Sequence, residues 1–506
     1  MKLSRTFSAL LLALTLLACA PAALLAQTAQ QTAVPARPEE LKYTPLNYSP
    51  PKRESFRHVL SNGVVVYAVE DHDLPLVNIS TLVRTGSYLD PAGKEGLAAL
   101  VGSQVRSGGT QKMTAEQFDE AADFLAAQLS SGVGSTQGSA NLNLLAKDID
   151  KGLALYFDML RTPAFQEDRL KLAKSQILQG MERRNDNTSA IEAREWGRLL
   201  YGPEHFSTKE ATKASIESIT RQDLVDFHQK YFQPGGLIIA ASGDFNTKEL
   251  LSKLEAAFKG WPVNKAAVPA VPKPTQTPVA GLYVVNKPDV NQGRVSIGHT
   301  GSTRDNPDSY ALEVMNDILG GGGFTSRIMS RVRSDEGLAY SAGSSYGMGV
   351  YYPGTFRASF QSKSATTSQA IRIVLDEINR IRTSKVSAEE LETSKNSAVE
   401  TFPRIFSTAA QIAGTFAQDE YTKRPADYWD TYRQRIAAVT AEDVQRVAQK
   451  YLDPSKLVIL VVGNIDDITK GNPDRPEYSL TKLAANGQVR RIPLPDPLTM
   501  VYPPAP

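Results

Sequence analysis

The feature that most constrains this chain is that it repeats itself. Thr220, Asp223, Lys230, Tyr231, Pro234 and Gly243 recur as Thr440, Asp443, Lys450, Tyr451, Pro454 and Gly463, each pair 220 residues apart. A period that long is a duplicated domain, since solenoid repeats run to only a few tens of residues. In each copy a threonine is placed to cap a helix, with an aspartate in the first turn near the positive helix end. Leu224, Phe227 and Tyr231 then share one helical face, as do Val444, Val447 and Tyr451. A proline follows, and then the apolar runs 237–241 and 457–462, which read as buried strands ending in glycine. At 506 residues the chain exceeds what one hydrophobic core serves, so two cores are expected.

The remaining local signals fit this plan. Val59-Leu60 and the run 64–69 flank Asn62-Gly63, a pair suited to a tight hairpin turn. The run 76–83 reads as the next strand. A helix over 114–129 opens with the capping box Thr114 and Gln117, and a long amphipathic helix is expected over 170–184. In the second half, strands are expected near 282–285 and 295–298, and a helix near 310–319 before Gly320–Gly323. Another helix opens at Ser387 and Glu390. Prolines at 262, 269, 272, 274 and 278 mark an extended linker between the halves. The fold class is α+β: two homologous domains, each an antiparallel-rich sheet backed by helices.

Lys2 and Arg5 precede the apolar run 9–18, the pattern of an export signal. Its removal takes two basic residues and no acidic ones, which brings the net charge from +2 to zero. Nothing in that balance points to nucleic acid or to an electrostatic membrane dock. The single cysteine, Cys19, ends the signal run. Two readings stand: a bacterial lipoprotein processing site with a lipid anchor at Cys19, or a chance cysteine in an ordinary signal cut at Ala26-Gln27. Either way the expected location is exported, in the periplasm or as an outer-membrane lipoprotein, and the mature domains hold no disulfide. The expected organisation is a signal over 1–19, a tether over 20–55, a first domain over 56–262, the linker over 263–281, a second domain over 282–470 and a tail over 471–506. Two readings stand for the Pro-rich end of the tail, 493–506: no fixed structure, or a segment lying on a partner.

The segments Leu60–Tyr67, Gly86–Pro91, Gly96–Ala99, Gly108–Thr110, Ser326-Arg327 and Gly337–Tyr340, in that order, resemble the pitrilysin/insulinase (M16) metallopeptidase family across residues 56–470. Active members of that family carry His-x-x-Glu-His after the Gly-Leu-Ala that matches Gly96-Leu97-Ala98. Two histidines four apart on a helix hold zinc, and the glutamate takes a proton from the bound water. This chain has Ala99, Gly102 and Ser103 at those positions, and Gly180 stands where the resemblance places the third ligand, a glutamate. Alanine, glycine and serine cannot replace that ligand set. The five histidines, at 58, 72, 205, 228 and 299, offer no substitute spacing. No cofactor is therefore expected in this chain.

The second half keeps another family feature, an Arg and a Tyr seven residues apart: Arg333 and Tyr340, joined by Gly337-Leu338-Ala339. The resemblance implies that such a pair approaches the scissile peptide facing the zinc, where both donate hydrogen bonds to the developing oxyanion. The bland alternative places Arg333 at a helix end and Tyr340 on a strand, packing on the sheet. Gly320–Gly323 lacks the Lys-Ser/Thr of a phosphate loop and reads as a turn ending a helix. The resulting expectation is a non-catalytic subunit of a heteromeric metallopeptidase, inactive alone. Zinc would sit in a His-x-x-Glu-His partner of the same family, and peptides or unfolded segments would be the substrate, pairing as an added strand. The alternative is a peptide-binding or scaffold protein with no peptidase activity. A stand-alone hydrolase with an unrelated site is not expected, because no Gly-x-Ser-x-Gly nucleophile elbow is read.

Overall fold

The computed structural model describes residue 37 and residues 47–263, 267–483 and 488–504. The signal segment, Cys19 and most of the expected tether lie outside the described residues. Residues 49–506 form one compact unit, built on two six-stranded sheets.

The first sheet contains β1 (Arg57–Val59), β2 (Val65–Glu70), β3 (Leu76–Val83), β4 (Gln128–Val133), β5 (Gly138–Leu145) and β6 (Leu237–Gly243), in the spatial order β1-β2-β6-β3-β5-β4. Only β2 and β6 run parallel; the other neighbours are antiparallel. The second half supplies β7 (Gly281–Asn286), β8 (Gln292–Thr300), β9 (Ser302–Thr303), β10 (Ala339–Tyr346), β11 (Met348–Gly349), β12 (Thr355–Lys363), β13 (Val458–Gly463) and β14 (Val489–Arg491). Its sheet runs β10-β12-β8-β13-β7-β14, and β9 pairs separately with β11. The two orders superimpose strand for strand. β13 takes the place of β6, and β10 takes the place of β4 at the outer edge.

The helices that matter here are α1 (Leu97–Ser107), α2 (Ala115–Phe124), α3 (Glu167–Glu182), α4 (Thr188–Tyr201), α5 (Arg221–Tyr231), α6 (Ser309–Asn316), α7 (Ala388–Thr401), α8 (Ala409–Thr422) and α9 (Ala441–Tyr451). The repeat is realised atom by atom in α5 and α9. Thr220 and Thr440 accept from Asp223 N and Asp443 N, and both caps are reciprocal boxes. The capping boxes at Thr114 and Ser387 form as expected. The hairpin turn forms too, with Gly63 at φ +87° and Asn62 accepting from Val64 N. One expectation fails. The helix opened by Thr114 stops at Phe124, where Ala126 takes φ +49°, and residues 128–133 become β4 instead of a last helical turn. The helix expected over 310–319 is α6, followed by a wide turn over Asp317–Gly321.

Each half sends one helix onto the other half's sheet. α4 lays Ile191, Trp196 and Leu200 against Tyr283, Val285, Val458, Leu460 and Val462 of the second sheet. It also places Glu192, 1% exposed, between Arg294 (2.7 Å), Arg357 and Ser296. Its counterpart α8 packs on the first sheet through Phe416, which meets Tyr67 at 6.1 Å. Glu420 on α8 accepts from Arg57 (3.0 and 3.1 Å) and from the Tyr67 hydroxyl (2.7 Å). Both ion pairs are part-buried, so removing one partner leaves a half-desolvated charge uncompensated.

Residues 488–504 of the tail take a fixed course on the chain itself. β14 extends the second sheet parallel to β7, in the place β1 holds in the first sheet. The chain then crosses its own first half. Pro495 O accepts from Asn185 (2.7 Å), Leu498 O from Lys213 N (2.7 Å), and the Tyr502 hydroxyl donates to Glu195 (2.8 Å).

Candidate functional site

The four degenerate ligand positions lie on α1 and α3. Ala99 and Ser103 share an exposed face of α1, one turn apart, and the Ser103 hydroxyl donates back to Leu100 O at 3.0 Å. Gly102 is buried, because β4 runs directly over it. Ser131 on that strand donates to Gly102 O at 2.5 Å. A Cβ built at Gly102 would fall against Val133 N and within 2.7 Å of the Gly132 carbonyl carbon. Real side chains do not approach backbone so closely, and no flexible neighbour is there to yield. Gly180 is exposed on α3, with open space around it. Zinc therefore does not fit here: none of these side chains is a histidine, cysteine or carboxylate, and strand backbone fills the space beside Gly102. Among the described residues no three His, Cys, Asp or Glu side chains are grouped to hold a metal ion.

The histidines are used otherwise. His228 is buried, its Nε2 donates to Leu160 O (2.8 Å), and burial holds its pKa down at about 4. His205 contacts Ser207 Oγ (2.7 Å) and Pro272 O (3.2 Å), and stacks among Tyr201, Phe206 and Tyr352. Its Pro272 contact lays the linker beside α1, and the two enclose a cavity of about 500 Å³ that Ala99 helps to line. Asp90, at the same cavity, accepts from Gly96 N (2.9 Å) and Ala98 N (2.7 Å) at the start of α1. Burial nonetheless raises its pKa to about 6, outweighing the two amides that favour the anion.

Arg333 and Tyr340 are brought together. The short helix Arg327–Met329 widens into a turn over Ser330–Asp335 that carries Arg333, and β10 begins at Ala339. The guanidinium lies 4.6 Å from the centre of the Tyr340 ring and 4.7 Å from that of Phe324. Tyr340 is 84% exposed and Phe324 66%, so the three side chains form a stack standing out in solvent. Tyr340 thus does not pack on the sheet, as the bland reading has it. Cation–π stacking uses the guanidinium faces and leaves its N–H edge free to donate. No ion pair is formed by Arg333 among the described residues. β10 is the outer strand of its sheet, irregular between Ala339 and Ala342, with a cavity of about 430 Å³ alongside that Tyr340 lines. The stack and the degenerate positions belong to different halves, and no hydrogen bond, ion pair or ring contact among the described residues joins them.

Phe324, the third member of the stack, was not anticipated. Its only signal is its place after Gly320–Gly323, which form the expected helix-ending turn, with Gly322 N bonded to Asp317 O and Gly323 at φ +62°. Contrary to the reading above, the string Gly-x-Ser-x-Gly does occur, at 343–347, but its serine lies in the extended β10, where Ser345 pairs opposite Arg357. It is no nucleophile elbow.

Residues 218–398 match the family model described as the peptidase M16 inactive domain. The Non-peptidase homolog YmxG of Helicobacter pylori is 23% identical over 404 residues, 79% of this chain and 91% of that protein. The Zinc protease PqqE of the same bacterium is 22% identical over 409 residues, 79% of this chain and 90% of that protein. The crystal structure of a peptidase M16 inactive domain from Pseudomonas fluorescens superposes with a TM-score of 0.72 at 25% identity, over 80% of this chain and 97% of that one. Fold and matches together place the chain among proteins similar to the M16 peptidases. The chain is M16-like, and its residues 218–398 match an M16 inactive domain.

Proposed function

We propose that this chain is the zinc-less subunit of a heteromeric zinc metallopeptidase. A partner of the same family, bearing His-x-x-Glu-His, supplies the zinc and the base. This chain supplies Arg333 and Tyr340 as donors to the carbonyl oxygen of a peptide laid along β10. The observation that carries this reading is the solvent-exposed Arg333 stack beside a free sheet edge, in a chain whose own base position lies under β4. Helicobacter pylori has relatives under both names, a non-peptidase homolog and a zinc protease, which fits a division of labour.

Arg333→Ala in the purified two-chain complex is expected to lower kcat on an unstructured fluorogenic peptide by about 10²–10³-fold, the usual effect of removing an oxyanion donor. Assembly, read by sedimentation, should not change. Chelation should abolish activity, and this chain alone should have none. Unchanged turnover in the variant would remove the role assigned to Arg333. A chain that binds peptide but copurifies with no zinc-bearing relative would favour the second reading, a binding or scaffold protein, which the name of the non-peptidase relative also suits. The proposal places the protein in the periplasm or, acylated at Cys19, at the outer membrane. The mass of the mature N-terminus separates the two.

A further inference from the structure

The second half holds a cavity of about 580 Å³ between the start of α6, the loop after α8 and Arg435. It corresponds in the duplicated plan to the cavity beside Ala99, but its lining differs. Where the first holds lysines and glutamates in mixture, the second gathers three guanidiniums, those of Arg304, Arg424 and Arg435. Arg424 is committed: it pairs with Asp419 at 2.9 Å and lies 4.2 Å over the Tyr428 ring. Arg435 lies 5.4 Å over the Tyr310 ring. Arg304 is the informative one. Its side chain is only 15% exposed and one amino group donates to Thr422 O, yet its Nε and Nη1 have no hydrogen-bond partner. Buried donors in that state are rare and costly.

The acids facing the same space do not answer this need. Asp305 stands 3.7 Å from Arg304 and is 80% exposed. Glu313 accepts from the Tyr432 hydroxyl, and burial pushes its pKa up, which favours the neutral form. Nε and Nη1 have no free surface as they stand, so an anion would satisfy Arg304 by turning its side chain toward the cavity, and the fork geometry of guanidinium suits a carboxylate or a phosphate equally. The cavity is far larger than a lone anion and falls in the usual range for organic ligands. Met348, Val350 and the tyrosine rings give it apolar walls.

We propose that this cavity binds the free carboxylate end of a peptide, with Arg304 and Arg435 holding the carboxylate and Tyr310 and Tyr428 flanking the terminal side chain. The site stands apart from Arg333 and Tyr340 and does not require a zinc-bearing partner, so it survives or fails independently of the reading above. Trp429, 5.1 Å from the Arg424 guanidinium, is a built-in reporter. The full chain would be titrated with acetyl-Ala-Ala-Phe carrying a free carboxylate, with its C-terminal amide, and with inorganic phosphate. The free acid should change Trp429 emission saturably, and the amide should bind at least about tenfold more weakly. Arg304→Gln and Arg435→Gln should each weaken the free acid by a similar factor while the melting temperature holds. Arg435→Lys, which keeps the charge but not the fork, covers the case in which a neutral variant misfolds, and it too should bind more weakly. Equal binding of acid and amide would overturn the proposal, as would phosphate binding as tightly as the peptide.

Discussion

The outer strand of each sheet runs over a glycine, Gly102 on α1 in the first half and Gly320 in the wide turn after α6 in the second, and the two crossings are the same device used twice. β4 crosses Gly102, and β10 crosses Gly320, 218 residues further on. A Cβ at Gly320 would fall against Ser344 N and within 2.9 Å of the Gly343 carbonyl carbon, as one at Gly102 would against Gly132 and Val133. Beyond the crossing the halves part. In the second, β10 begins with the exposed Tyr340 and its stacked arginine. In the first, the crossing glycine stands where the family resemblance places the base of a zinc peptidase. The lesson is that the first half has not merely lost ligands from a standing site. Its helix is packed as in the second half, where no zinc motif is read, and the strand backbone takes up the room.

The comparison breaks most sharply at the glycines themselves. Gly102→Ala and Gly320→Ala should each destabilise the protein by about 3 kcal/mol, since strand backbone must move to admit the methyl. That exceeds the gain of about 1 kcal/mol from helix propensity. The triple change Ala99→His, Gly102→Glu, Ser103→His should be less stable still and should not bind zinc. Denaturant midpoints and metal content after dialysis measure both. A triple variant as stable as the parent that retains stoichiometric zinc would show that the site is open, contrary to the packing argued here.

A smaller effect separates two aspartates, also 218 residues apart, that precede the crossing glycines. Asp90 is raised to about 6 by burial. Asp308 also feels burial, but hydrogen bonds from Tyr451, Lys450 and Arg446 prevail and hold it at about 2. The signs are opposite. The contribution of Asp90 is fully present below its unfolded value near 4 and is lost as pH rises through about 6. The contribution of Asp308 is present above about 4 and is lost as pH falls toward 2. Between pH 4 and 7 Asp90 should therefore lower stability by up to about 3 kcal/mol, and Asp90→Asn should remove that slope. Urea titrations at several pH values decide it. An unchanged slope in the variant would mean that the two amides at α1, not burial, govern Asp90.

The duplicated plan was legible because it is written in local chemistry: threonine caps with aspartate three residues on, an Asn-Gly turn, and apolar strands that end in glycine. What escaped was everything that depends on chain segments remote in sequence. The exchange of α4 and α8 leaves no periodic signature, since a helix buries the same kind of face whichever sheet receives it. Glu192 and Glu420 find their arginines only across that exchange. The turn at Ala126 was missed because residues 114–129 keep a helical pattern through the break, and only pairing with β5 makes 128–133 a strand. At the site, Ala99, Gly102, Ser103 and Gly180 were found by position, as absences. Why Gly102 is a glycine needed the strand above it, although Gly320 at a near-repeat spacing was a usable hint.

Gly180 is the control for that last point. It stands at another degenerate ligand position, yet nothing crosses it: it is exposed on α3, its φ is helical, and a Cβ there meets no atom within 4 Å. If the glycines at the old ligand positions were all kept for packing, Gly180→Ala would cost stability as Gly102→Ala does. The structure predicts the reverse sign. Alanine in a helix interior is worth about 0.5–1 kcal/mol over glycine, so Gly180→Ala should raise the denaturant midpoint slightly. A loss of stability instead would mean that a surface lies over α3 in the protein as it works. The variant should then be tested in the presence of the proposed partner, whose binding it would weaken.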